Sequence, residues 1–515
     1  MKTANLLPSL RGRGRGWVAS EASPLAPALY APTHPRPLPG QGGESVRRTL
    51  PILPLLAISL LAACSMAPDY RPPQTATPTA FKEQVAGWTA ATPLDAAARG
   101  TWWTSFDDPV LDDLEARAEK ASPTLAAALA RYDQARAIAR SERSDLLPQI
   151  GVGADAARQR VSGNRPLADG TPVTYNDVSV GATLDYELDL WGRIRNGVTA
   201  ASADADAGAA DLASARLSLQ AAVADAYVRL RGLDAEADLL RQTVVAFDRA
   251  FDLTSRRHNG GIASGIDVNR AKTVLSNARA QISAVANARA ATEHEIAALV
   301  GEVASRFAIP AELRSLEPPA LPGGTPSELL QRRPDVAAAE RRMFAANARI
   351  GVARAAFFPS LTLGLGGGFE ASRGALFATP SSFWGLGPLS AALSIFDGGR
   401  RKAQVALSRA DYDEQAAGYR ETVLTAFRQV EDSLAANHYL AAQTTDQREA
   451  ATAADRTSQL ALTRYRDGAS DYLEVVTAQT DALEAERAVL ALQTQRMRAN
   501  ITLVKALGGG YGAAR

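Results

Sequence analysis

The sequence predicts a mainly α-helical chain with a smaller β part, arranged as long helical hairpins and an internal two-fold repeat. Three observations predict it. Of the 28 prolines, 15 lie before residue 111, whereas residues 173–309 and 389–515 contain none. Proline removes a helical N–H and clashes with the preceding turn, so alanine-rich stretches of this length without it read as very long helices. Between the helical stretches the apolar period changes from helical to two. Residues 120–301 and 331–508, finally, overlay almost motif for motif.

The overlay needs two offsets. With an offset of 211, Pro123, Ala128, Arg131, Ala135, Arg143 and Pro148 fall on Pro334, Ala339, Arg342, Ala346, Arg354 and Pro359. With an offset of 207, Gly192, Arg193, Asp204, Val223, Asp225, Arg257, Gly261, Val268 and Gly301 fall on Gly399, Arg400, Asp411, Val430, Asp432, Arg464, Gly468, Val475 and Gly508. The change of four falls between a proline and a glycine, so the length difference sits in one loop.

The segment from Gly192 to about Arg257 would reach roughly 100 Å as one helix, and residues 402–465 give nearly the same length. Each is followed by a glycine turn, Asn259-Gly260-Gly261 or Asp467-Gly468, and a second helix returning toward Gly301 or Gly508. Two long antiparallel hairpins result. The second return helix carries Val476, Leu483, Leu490, Met497 and Val504 at a seven-residue interval, the seam period of packed coiled helices.

Val178, Val180, Ala182, Leu184, Tyr186 and Leu188 alternate with Ser179, Gly181, Thr183, Asp185, Glu187 and Asp189, an apolar-out, polar-in strand. Similar patterns place strands near 150–159, 178–189, 361–370 and 383–396, the last carrying a break at Gly387-Pro388. About ten residues is the length of a tilted transmembrane strand, although half of a water-soluble sandwich reads the same way. Four membrane strands leave open edges that lipid cannot satisfy, and four is below the smallest barrel. In a membrane several chains must therefore share one barrel, and three copies make twelve strands.

The balance of 56 basic and 55 acidic residues gives no electrostatic case for nucleic-acid binding. One cysteine and four histidines exclude a disulfide framework and weigh against a Cys/His metal site. That cysteine, Cys64, follows Leu61-Ala62-Ala63, which closes an apolar stretch beginning at Leu50 behind Arg47-Arg48. This is the layout of a secretory signal with a lipobox, and it is too short for a membrane anchor. Residues 1–45, rich in Pro, Gly and Arg, stand oddly in front of it and read as a misassigned start or a disordered extension. Removing residues 1–63 takes away seven basic and two acidic residues, leaving 49 and 53.

Several ordered motifs carry a resemblance. They are Pro68-Asp69-Tyr70-Arg71-Pro72-Pro73, Trp102-Trp103 with Phe106, Asp108, Pro109 and Leu111, and Arg332-Arg333-Pro334-Asp335-Val336 leading to Glu340-Arg341-Arg342. Ala355-Ala356-Phe357-Phe358-Pro359-Ser360-Leu361, Phe396-Asp397-Gly398-Gly399-Arg400 and Leu507-Gly508-Gly509-Gly510 follow. From Cys64 to the carboxy terminus the chain resembles the outer-membrane factor family of bacterial tripartite efflux systems, the TolC-like channels, in its acylated NodT/OprM-like branch. The resemblance implies a homotrimer with a 12-stranded outer-membrane barrel, a helical tunnel in the periplasm and an equatorial belt. It divides the chain into the extension 1–45, a signal peptide 46–63, a strap 64–118, repeat 1 (119–301), an equatorial linker 302–330, repeat 2 (331–508) and a tail 509–515. It implies no cofactor beyond N-acyl and S-diacylglycerol lipid on Cys64. The implied partners are further copies of the chain, a periplasmic membrane-fusion adaptor, an inner-membrane pump and outer-membrane lipids.

In such a tube the hairpin turns converge on a periplasmic aperture. The resemblance places Asp471, Leu473, Glu474 and Thr477 there, each a ring of three in a trimer, with Arg257, Arg464 and Arg466 as charge partners and Gly260, Gly261 and Gly468 in the turns. Rings of carboxylates in a constriction favour cations; a solvated charged turn would look the same. Where the family often has an Asp in a Leu-Asp-Ala-Gln-like motif, this chain has Val476-Thr477-Ala478-Gln479, and Glu474 is expected to substitute in part for the missing charge. Two other classes remain. A lipid-anchored periplasmic coiled-coil scaffold or adaptor explains the helices but not two strand pairs at matching points. An enzyme is disfavoured because His258, His294 and His438 stand isolated on helical stretches without a partnered nucleophile or ligand spacing.

Overall fold

Two helices of 67 residues, each roughly 100 Å long, dominate the chain, and each returns through a tight turn into a helix of 35 residues. The computed structural model describes residues 65–73, 80–83, 101–166, 169–314, 317–319, 332–372, 380–387 and 389–509, all within one unit from Ser59 to Arg515. The extension 1–45, the signal 46–63, Cys64, residues 74–79 and 84–100 of the strap, residues 315, 316 and 320–330 of the linker, residue 331, Pro388 and residues 510–515 lie outside the described residues.

In chain order the elements are α1 (Pro109–Ala121), α2 (Pro123–Ser144), β1 (Gln149–Val161), β2 (Val173–Glu187), α3 (Arg193–Asn259) and α4 (Gly265–Leu299). They continue as α5 (Pro334–Ala355), β3 (Ser360–Ala371), β4 (Phe383–Leu386), β5 (Leu389–Ala392), α6 (Arg400–Arg466) and α7 (Tyr472–Ala506). Next to the strands the helices pack in the order α2, α3, α5, α6; along the other half of α3 and α6 the order is α4, α3, α7, α6. Alanine permits the close approach, with Ala200 and Ala203 of α3 buried on Ala345 and Ala348 of α5. Four antiparallel ion pairs align α3: Asp204 with Arg349 and Asp211 with Arg342 on α5, then Asp225 with Arg498 and Glu236 with Arg487 on α7. Exposed pairs add little stability each, but their spacing selects one sliding position of the helices.

The strands form one antiparallel sheet in the order β1, β2, β3, with β4 and β5 in line along the far side of β3. Gln149 lies opposite Asp185, Asp185 opposite Gly364, and Ser360 opposite Ala392. Two differences from the sequence pattern have a common cause, since a strand persists only where a partner exists. β2 starts at Val173, ahead of the clean alternation, because Val161 of β1 pairs with it. The fourth strand, expected to run to residue 396, stops at Ala392 because β3 begins only at Ser360; among the described residues no strand lies beside 393–399.

Where the two halves of α3 meet, α1 and the segment 302–314 wrap a core of Trp102, Trp103, Leu114, Tyr227, Ile296 and Phe307. A buried polar chain ties this belt down. Asp108 caps α1 by accepting from the Val110 and Leu111 N–H groups and also accepts the Tyr227 hydroxyl at 2.6 Å. Arg231 donates to Tyr227, Asp234 and the Pro310 carbonyl, while Arg289 donates to Asp234 at 2.6 Å and to the Ile309 carbonyl. On the second repeat Arg333 donates to Asp335 and to the Ala506 carbonyl at the end of α7, so the Arg-Arg-Pro-Asp run caps a helix terminus.

Candidate functional site

The ends of α3 and α6 are built alike. The Gly261 N–H donates to the His258 carbonyl and the Ile262 N–H to the Arg257 carbonyl; Gly468 and Ala469 do the same to Tyr465 and Arg464. This double closure requires a left-handed residue, and Gly261 (φ 77°) and Gly468 (φ 79°) supply it. Gly260, at φ −84°, has ordinary backbone and no such requirement. The return helices start from matching caps: Ser264 in a capping box with Asp267, and Asp471 accepting from the Glu474 N–H at 3.1 Å.

Of the three arginines expected to pair with tip acids, Arg464 does so, meeting Glu474 at 3.2 Å on the same hairpin. Arg257 goes elsewhere. Its guanidinium lies 4.6 Å from the centre of the Tyr465 ring and donates to the Tyr465 carbonyl, joining the first hairpin to the second. Arg466 is exposed and has no ion pair among the described residues. Leu473, Glu474 and Thr477 are all exposed on the first turns of α7, and Asp471 is engaged as its cap.

The sequence reading passed over the tyrosines. Tyr465 and Tyr472 meet edge to face at 5.3 Å, and the Tyr465 hydroxyl lies 3.5 Å from Thr254 Oγ1. Both rings are buried with Ala250, Ala271, Ala461 and Val475, and burial pushes the Tyr472 hydroxyl up to about 12. Tyr465 sits between two arginines, which in sequence reads as a solvated turn; only the arrival of α3 beside α6 makes it a core residue.

At the opposite end, Arg193 opens α3 and grips Glu187 of β2 through two bonds of 2.8 and 2.7 Å. The strap starts one turn farther along. The Ser65 hydroxyl donates to Asn196 Oδ1, Arg354 and Asn347 donate to the Met66 and Pro68 carbonyls, and the Tyr70 hydroxyl donates to Glu340 at 2.8 Å. A side chain at Gly351 would strike the Ala67 nitrogen. Among the described residues the sheet above has two unpaired edges, and β1 is bare on both faces, with Ile150 and Val152 74% and 79% exposed. Among the described residues no helix is long and apolar enough to cross a membrane, and no cluster of His, Cys, Asp and Glu is placed to hold a metal.

Residues 114–302 and 325–509 both match the family model described as outer membrane efflux protein. The chain is 35% identical over 473 residues to the outer membrane protein OprJ of Pseudomonas aeruginosa, covering 90% of this chain and 96% of that one. It is 32% identical over 454 residues to the toluene efflux pump outer membrane protein TtgC of Pseudomonas putida, covering 88% and 94%. Among solved structures, the outer-membrane channel OprN superposes with a TM-score of 0.80 at 29% identity, covering 87% of this chain and 99% of that one.

Proposed function

The chain belongs to the outer membrane efflux protein family, and from that premise we propose that three copies of it form the exit duct of a tripartite exporter. The duct passes small molecules from an inner-membrane pump and a periplasmic adaptor to the outside, and the pump supplies the energy. One observation carries the assembly: the sheet has both edges open and an outer strand bare on both faces. Unpaired strand edges are intolerable in lipid, and four strand positions per chain close into a 12-stranded barrel when three chains are joined. The helix layers end in the same way, with α2 or α4 at one side and α6 at the other. The internal repeat is supported by the paired helix lengths of 67 and 35 residues. A lipid-anchored scaffold would have no use for this sheet.

Cys64 is the anchor in this reading. Its neighbour Ser65 is tied to Asn196 beside the junction of sheet and helices, where the inner leaflet would lie. The other end is the aperture. Asp471, Leu473, Glu474 and Thr477 of three chains form its rings, and the Arg257–Tyr465 contact holds the two hairpins of each chain together. Opening is a population shift of these hairpins toward an arrangement that the adaptor binds better.

Native mass measurement on protein gently extracted from outer membranes tests this. The expected result is three chains, each starting at a lipid-modified Cys64. A lone chain with an unmodified amino terminus overturns the duct.

A further inference from the structure

The two strand pairs follow one plan. Gln149 opposite Asp185 becomes, with 211 and 207 added, Ser360 opposite Ala392, and Arg158 opposite Asn176 becomes Phe369 opposite Phe383; both related pairs are observed. Corresponding positions of the two hairpins therefore reach the same height in a closed barrel. One face of the sheet is apolar from the helix end upward. Ile150, Val152, Ala154 and Ala156 on β1 lie beside Leu184, Ala182, Val180 and Val178 on β2, and Leu365 and Phe369 continue the band on β3.

At the far border of this band the hairpins part. β3 and β4 carry Phe369 and Phe383, whose rings meet edge to face at 5.9 Å. β1 and β2 carry, on the same face, Arg158 with Asn176 and one step farther Arg160 with Thr174. The image of Arg160 on β3 is Ala371, so the strand pattern demands an arginine at neither place. From Ile150 to Arg158 the strand climbs about 27 Å, or about 20 Å across a membrane at the usual tilt. Membrane barrels carry an apolar band about 25 Å tall with aromatic girdles at both borders. The phenylalanine pair then marks the outer headgroup level, and the long arginine side chains extend into it. Both arginines are exposed, and among the described residues neither has an ion pair and no carboxylate shares their face of the sheet.

Resting on the reading that this sheet lies in the outer membrane, we propose that Arg158 and Arg160, with Asn176 and Thr174 beside them, form a docking site for the phosphate group of a phosphorylated glycolipid in the outer leaflet. Place and charge select this occupant. The hairpin end of the sheet points away from the helices and from Ser65, toward the outer leaflet, and an unopposed cationic face there takes an anionic headgroup. Two guanidinium forks about 7 Å apart along one face can share one phosphate, each through paired N–H groups. Three copies carry three such sites around the rim, separated by the apolar phenylalanine pairs.

Native mass spectrometry of the full-length protein tests the site, after stripping of lipid in detergent and titration with one of three probes: bisphosphorylated lipid A, lipid A with both phosphates removed, or phosphatidylglycerol. The expected result is a three-chain mass that takes up bisphosphorylated lipid A about tenfold or more tightly than either other probe. Arg158→Gln and Arg160→Gln should each weaken that uptake by about tenfold or more. Arg143→Gln, near the end of α2 at the opposite border, should leave it unchanged. A three-chain mass with equal uptake by the parent and the double variant, or with the phosphate-free glycolipid bound as tightly, overturns the site and leaves the duct standing. Phosphatidylglycerol bound as tightly as the glycolipid overturns the outer-leaflet occupant. A single-chain mass of the parent removes the duct reading and the site with it.

Discussion

Glu115 on α1 is 1% exposed, and among the described residues neither of its carboxyl oxygens has a hydrogen-bond partner. Burial first, then Glu119 and Asp112, push its carboxyl up to about 9. Between the ordinary glutamate value and 9 the folded chain holds a proton that the unfolded chain releases, so this group's contribution to stability falls as pH rises through that window. Glu115→Gln should therefore be more stable than the parent by about 3 kcal/mol at pH 7 and nearly equal to it at pH 4. Denaturant titrations at the two pH values check this; the same difference at both would show that the proton plays no part. At the tip, Arg257→Ala removes a charged hydrogen bond and a contact with the Tyr465 ring, together worth about 2 kcal/mol, so the open population should rise by roughly tenfold or more. Single-channel recording in planar bilayers reads it, with Arg257→Lys between the two. Unchanged conductance and open time would remove the contact from the gate.

Elements differ in how they are held. Gly261 and Gly468 occupy left-handed turns with open space around them, so alanine there meets no clash and pays only for the backbone, about 1 kcal/mol each. Gly260→Ala should be close to neutral, and thermal melts of the three variants give the comparison. Loss of the Asp471 cap by Asp471→Ala should cost about 1 kcal/mol. The belt is more brittle: Asp234 receives both Arg231 and Arg289 and is 3% exposed. Asp234→Ala leaves these two arginines without their shared carboxylate and should cost about 3 to 5 kcal/mol. Limited proteolysis should then cut first near residues 302–314, which this network ties to α3 and α4; cutting first at the hairpin turns would show that the belt is held by its apolar core instead.

For the whole molecule, one variant separates the proposed assembly from the proposed anchoring. If strand closure drives association, Cys64→Ala should remove the lipid mass while the native mass stays at three chains; a fall to one chain would make the lipid the driver. Much of the architecture was already legible from the residues. Proline-free alanine runs, the shift to a period of two and paired glycines at 261 and 468 determine hairpins, strands and turns because each is a local rule of backbone and side-chain spacing. The repeat offsets even carry the strand register from the first hairpin to the second. What needed the tertiary structure were the long-range partners. That Arg257 meets a tyrosine ring rather than a carboxylate depends on where α3 ends relative to α6. That the last strand stops at Ala392 depends on where β3 begins, and that Glu115 lies buried without a partner depends on the belt folded over it. Local pattern determines what a segment becomes; packing between residues hundreds of positions apart decides what each side chain touches, and no spacing in the sequence encodes that.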